Sequence, residues 1–116
     1  MTAGNMKLRA KGNSVEWDGG RLDLQVPVLD AVRLGDRILV VHDYMAYPRH
    51  GPTPNLVAYS TRGERLWVAE NLTLSSATDA YVGFLSEEPL WVGNFEGFRC
   101  RIDPETGKLL ESEFTK

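Results

Sequence analysis

Two stretches of the chain repeat one pattern, and their spacing constrains the fold more than any other feature. In the first, Asn55-Leu56-Val57-Ala58-Tyr59-Ser60 runs into Thr61-Arg62-Gly63 and resumes as Glu64-Arg65-Leu66-Trp67-Val68. In the second, Phe98, Cys100 and Ile102 alternate with Arg99, Arg101 and Asp103, and the chain resumes at Lys108-Leu109-Leu110 after Asp103-Pro104-Glu105-Thr106-Gly107. Apolar residues at every second position mark a half-buried strand. The intervening turn has its own chemistry: Asp103 accepts from nearby amides, Pro104 presets φ, and Gly107 takes the left-handed position that closes a hairpin. Gly63 and Gly107 lie 44 residues apart, as do Leu66 and Leu110. An apolar strand precedes each copy, Arg37 to Val41 in the first and Leu90 to Val92 in the second. Self-similarity at this period points to propeller blades, solenoids or arrays.

The remaining residues extend the same reading. Met1 to Asn5 reads as a disordered leader. Met6 to Ala10, Val15 to Trp17 and Leu22 to Val26 read as three strands, separated by Gly12-Asn13 and Asp18-Gly19-Gly20 and ended by Pro27. Ile38-Leu39-Val40-Val41 is continuous rather than alternating, which predicts cover on both faces. Residues 70–78 form a linker, and no segment sustains apolar residues at helical spacing. The expectation is an all-β single domain over residues 1–116, an antiparallel meander of about ten or eleven strands. Its parts are an N-terminal meander at 6–27, a first repeat at 28–70 and a second at 80–114, with the two four-stranded repeats packed as a sandwich or curled sheet.

The segment Asp103-Pro104-Glu105-Thr106-Gly107-Lys108-Leu109-Leu110 resembles the repeat of pyrroloquinoline-quinone-type β-propellers, where the turn is followed by a basic residue, a leucine and a tryptophan. Asp103, Thr106, Gly107, Lys108 and Leu110 match in the second copy, and Gly63, Arg65, Leu66 and Trp67 in the first. The first copy lacks the Asp-Pro-x-Thr turn, and Glu111 stands where the second copy would carry tryptophan. The resemblance spans Val28 to Phe114 and implies blade-like four-stranded sheets. Closing a ring takes more blades than two. The quinone site needs a central channel, so it is not carried over, and no cofactor is expected.

Composition narrows the function classes. A net charge of −3 lacks the basic footprint of a nucleic-acid binder. The single cysteine forbids an intramolecular disulfide, and Cys100, alternating with Phe98 and Ile102, reads as a buried apolar filler. No apolar run approaches membrane-spanning length and no signal peptide is present, so a soluble cytoplasmic protein is the expectation. Asn71-Leu72-Thr73 fits a glycosylation acceptor, a tripeptide that arises often by chance.

The candidate site is the segment 42–54. Asn94 to Gly97 makes the corresponding connection in the second repeat with four residues, whereas the first inserts a longer loop holding three prolines and both histidines. Long loops in compact domains are commonly functional. Tyr44, Tyr47, Arg49 and His50 are the partner-binding candidates, because tyrosine and arginine dominate binding hot spots. His42, Asp43 and His50 are the weaker metal or acid–base candidates, a set from which a small metal-dependent hydrolase would be built. Arg99 and Arg101 share a strand face suited to cross-strand carboxylate partners, with an anion site as the alternative. Trp17, Trp67 and Trp91 read as core or inter-sheet residues. The leading expectation is a non-catalytic binding protein, adaptor- or inhibitor-like, that captures a protein partner through the 42–54 loop. A small hydrolase and a purely structural assembly unit are the alternatives. Unclosed sheets leave edges and an apolar face, which also predicts a homodimer.

Overall fold

The computed structural model describes residues 8–72 and 76–115. The expected leader, Met6 and Lys7 of the first expected strand, and Thr73 of the acceptor tripeptide lie outside the described residues.

Among the described residues eleven strands form three antiparallel sheets, each a meander of sequence neighbours. The first sheet holds β1 (Arg9–Lys11), β2 (Ser14–Trp17) and β3 (Gly20–Asp23). The second holds β4 (Val28–Leu34), β5 (Arg37–His42), β6 (Leu56–Ser60) and β7 (Arg65–Val68). The third holds β8 (Tyr81–Glu87), β9 (Leu90–Asn94), β10 (Phe98–Ile102) and β11 (Leu109–Phe114). The two repeats are therefore four-stranded units of identical connectivity, and among the described residues no sheet closes into a barrel. Among the described residues no helix is long and apolar enough to cross a membrane.

The sheets stack in three layers, with β5 at the centre. Alternation sends Leu39 and Val41 to one side, where they meet Leu56, Ala58, Trp67, Tyr81, Leu90, Val92, Cys100 and Ile102. Ile38 and Val40 go to the other side and meet Val15, Trp17 and Leu22. All four of these apolar β5 residues are fully buried, as the unbroken run predicts. Both outermost faces carry ion pairs. Arg21 bonds Glu16 at 2.8 Å and Asp23 at 2.9 Å on the first sheet. On the third sheet Arg99 pairs with Glu113 and Arg101 with Glu111, both at 2.7 Å. These are the cross-strand partners expected of the two arginines.

The turn glycines mark equivalent places in the layers. Gly63 and Gly107, with φ of 89° and 79°, each precede the last strand of their sheet. Gly19, φ 99°, does the same in the first sheet, another 44 residues upstream. Each of the later two glycines also receives the layer before it. Leu22 of β3 sits over Gly63, and Trp67 of β7 lies over Gly107 while its indole N–H donates to Pro104 O at 3.0 Å. Where β11 would carry the next tryptophan, Glu111 faces no further layer and pairs with Arg101 instead.

Two strand-level expectations are revised. The third strand ends at Asp23 rather than Val26: Leu24 N on Asn13 O closes the β2–β3 ladder, the chain bends at Gln25 and Val26, and Val28 N then donates to Gly12 O. Trp17 and Trp67 are core residues, but Trp91 lies half-buried on the outer face of the third sheet, under the Arg99 guanidinium at 4.5 Å.

The docking of Trp67 yields a graded prediction. A Cβ at Gly107 would fall 2.6 Å from the Trp67 ring, whereas one at Gly63 would meet Leu22 at an ordinary 3.4 Å. Both substitutions carry the positive-φ penalty. Gly63→Ala is expected to cost about 1–2 kcal/mol, and Gly107→Ala roughly 2–4 kcal/mol because overpacking adds to it. Urea denaturation of the two variants measures the difference.

Candidate functional site

The long connection begins in the core. His42 closes β5 with its ring buried, Nδ1 facing Val26 O at 3.1 Å and Pro27 O at 3.3 Å, and Nε2 2.8 Å from Tyr59 Oη. Two carbonyls on Nδ1 require that nitrogen to donate, so Nε2 accepts the tyrosine proton. Both nitrogens are thereby occupied. Asp43 is a cap: its Oδ1 accepts Met45 N at 2.9 Å and starts the 3-10 turn Tyr44–Ala46. His50 is exposed further along the loop. His42, Asp43 and His50 are thus not brought together, and among the described residues no three His, Cys, Asp or Glu side chains form a metal-ligand set.

The far end of the loop is anchored by buried polar groups. Thr53 N donates to Asp79 O at 3.0 Å, and Thr53 Oγ1 donates to Ala77 O at 3.1 Å. Asn71 Nδ2 reaches Thr53 O at 2.9 Å and Asp79 O at 2.8 Å. Asn55 Nδ2 donates to both His42 O and Tyr81 O at 2.8 Å, and Asn55 Oδ1 accepts Tyr81 N at 3.0 Å. The loop is therefore clamped at both ends, and residues 45, 46 and 48–50 of its middle are exposed.

That middle closes a cleft against the second repeat. Tyr44, Met45, Pro48 and Arg49 form one wall, and Ala77, Thr78 and Phe95 form the other, around a volume of about 160 Å³. Tyr44 and Phe95 meet edge to face with ring centroids 5.4 Å apart. Phe95 belongs to the short β9–β10 turn, so the enlarged loop of one repeat packs on its counterpart in the next. Met45 and Phe95 remain exposed at the mouth, and Arg49 Nη2 lies 3.1 Å from Met45 Sδ. The opposite wall is set by Thr78 Oγ1, which donates to the Glu96 carboxylate.

The expected partner-binding residues are thus divided. Tyr44 and Arg49 line the cleft. Tyr47 lines a separate groove with His42, Tyr59 and Arg65 on the other side of the loop. His50 lines neither. The contribution of Phe95 was invisible in sequence, although its place in the turn matching the long loop is the signal that could have found it.

Two buried groups are poor reactants. Burial pushes the Cys100 thiol up to about 11, despite a contact with Tyr81 that opposes the rise. Burial likewise raises Tyr81, whose hydroxyl donates to Glu70 O at 2.5 Å. A neutral, fully buried thiol is an apolar filler.

The family model described as a domain of unknown function (DUF7957) matches residues 5–114, so the chain belongs to that family. No curated protein matches the sequence.

The state of His42 can be read through stability. Burial chiefly lowers its affinity for a proton, Arg65 adds to this, and the Val26 and Pro27 carbonyls oppose it. The unfolded chain therefore binds the proton first, near pH 6.5, so stability falls as pH drops through about 6.5 and the loss ends below the folded pKa. His42→Gln is expected to flatten this part of the curve. Thermal melts of both proteins between about pH 7.5 and 5.5 test it.

Proposed function

We propose that this member of the DUF7957 family is a non-catalytic binding module, adaptor- or inhibitor-like, that takes one apolar side chain of a protein partner into the cleft between the 42–54 loop and the β9–β10 turn. The observation that carries the reading is the cleft itself. The loop that one repeat has and its twin lacks contributes Tyr44, Met45 and Arg49, and the twin contributes Phe95. At about 160 Å³ the cavity is below the 300–1,000 Å³ of typical small-molecule sites and suits a single anchoring residue. Its apolar walls supply burial, and Arg49 at the rim favours an acidic neighbour on the partner. Clamping both ends of the loop lowers the entropy lost on binding.

Removing the whole loop would also remove Thr53 and the Asp43 cap, so point changes give the cleaner test. A photo-crosslinking residue at position 45 or 95 is expected to capture the same partner from extract of the source cells. One at position 110, exposed on β11, is expected to capture none. Phe95→Ser and Arg49→Glu should each weaken capture about tenfold or more while leaving the melting temperature nearly unchanged. No adduct, equal capture at position 110, or adducts indifferent to both substitutions would overturn the reading.

A further inference from the structure

The opposite side of the 42–54 loop borders a second groove. The first sheet has three short strands and covers only part of the second sheet, leaving β6 and β7 open on the face that carries Val57, Tyr59, Arg65 and Val68. Residues 23–26 wall one side and Tyr47 with Pro54 wall another, enclosing about 440 Å³, a volume within the range of small-molecule sites.

The polar groups in this groove differ from those elsewhere in the sheets. Among strand arginines, Arg9, Arg21, Arg37, Arg99 and Arg101 each hold a carboxylate. Arg33 bonds Gly35 O at 2.8 Å. Arg65, itself exposed, has no such partner among the described residues; it lies opposite Tyr59 in the β6–β7 register and lines the groove with Tyr47 and Tyr59. The half-buried Tyr47 hydroxyl also has no hydrogen-bond partner among the described residues, while Tyr59 gives its proton to His42. One guanidinium fork and one free phenol therefore face an apolar floor of Leu24, Val26, Val57 and Val68.

We propose that this groove binds a monocarboxylate carrying an apolar tail, with Arg65 as its counter-ion and Tyr47 as the second donor. A planar guanidinium matches a carboxylate bidentately. A phosphate dianion would meet a single arginine, with Asp23 on the rim opposing it. The carboxylate belongs either to a free organic acid or to the C-terminus of a peptide, and both present the same group to Arg65.

The test uses the full chain and four probes: hexanoate, hexanamide, an acetylated tripeptide ending in leucine, and the C-terminal amide of that tripeptide. Amide-resonance shifts of Val57, Tyr59 and Val68 report binding. At least one acid is expected to shift them, with its amide at least tenfold weaker. Whichever acid binds more tightly identifies the source. Arg65→Gln should weaken acid binding by about tenfold or more and Tyr47→Phe by roughly threefold. Arg65→Gln should melt with the wild type, because it gives up no protein partner. No shifts up to about 20 mM of either acid, equal binding of acid and amide, or undiminished binding to Arg65→Gln would each overturn the proposal.

Discussion

The carboxamide of Asn55 holds the second and third sheets in one arrangement. It is fully buried, and it uses its oxygen and both amide hydrogens on the backbone of β8 and the end of β5. Apolar contact between two sheets is non-directional, and the same faces could slide without losing much buried area. A buried amide permits no such slide, since a displaced partner leaves a polar group unpaired at about 1–3 kcal/mol. Asp79 acts alongside it, accepting Asn94 Nδ2 at 3.1 Å and Leu72 N at 3.2 Å. Asp30 adds a third tie: from the β4 bulge it accepts Phe84 N of β8 at 2.9 Å. These polar ties set the register of the layers, and the apolar core supplies the drive to stack them.

The limits of the stack follow from its outer faces. A sheet with two apolar faces demands two neighbours, and the second sheet has them. The first and third sheets each turn one apolar face inward, and their outer faces carry arginine–carboxylate pairs, which on the third sheet stand beside Val82, Leu85 and Trp91. Exposed pairs of this kind contribute little stability. Their consequence is different: a further layer would have to desolvate several charges at once. The exchange of Trp67 for Glu111 at equivalent positions shows the same logic within one residue.

Much of this architecture was legible in the sequence because period-two alternation and positive-φ glycines are local signals. Phe98–Cys100–Ile102, the continuous run at 38–41 and the pair Gly63/Gly107 each point to a feature that the fold contains. Gly19 belongs to the same series, and only the shortness of its flanking strands hid it. The polar ties were not legible. Asn55, Asn71 and Asp79 sit among prolines, serines and threonines, where such residues ordinarily make turns with their own backbone. Their long-range partners come from chain segments up to 26 residues away. His42 misled for a related reason: adjoining a proline-rich loop, it looks exposed, yet β5 pairing carries it into the core.

The loop reads as one insertion in sequence but acts as a partition in space. Asp43 turns the chain through Tyr44–Ala46, so Tyr44 and Tyr47 leave on opposite sides. One side meets the third sheet at Phe95, and the other roofs the part of the second sheet that the first leaves bare. Both cavities therefore share a wall whose ends are fixed by Asn55 and Thr53, groups that also register the sheets. The hydrogen bonds that align the sheets thus also hold the wall between the two cavities.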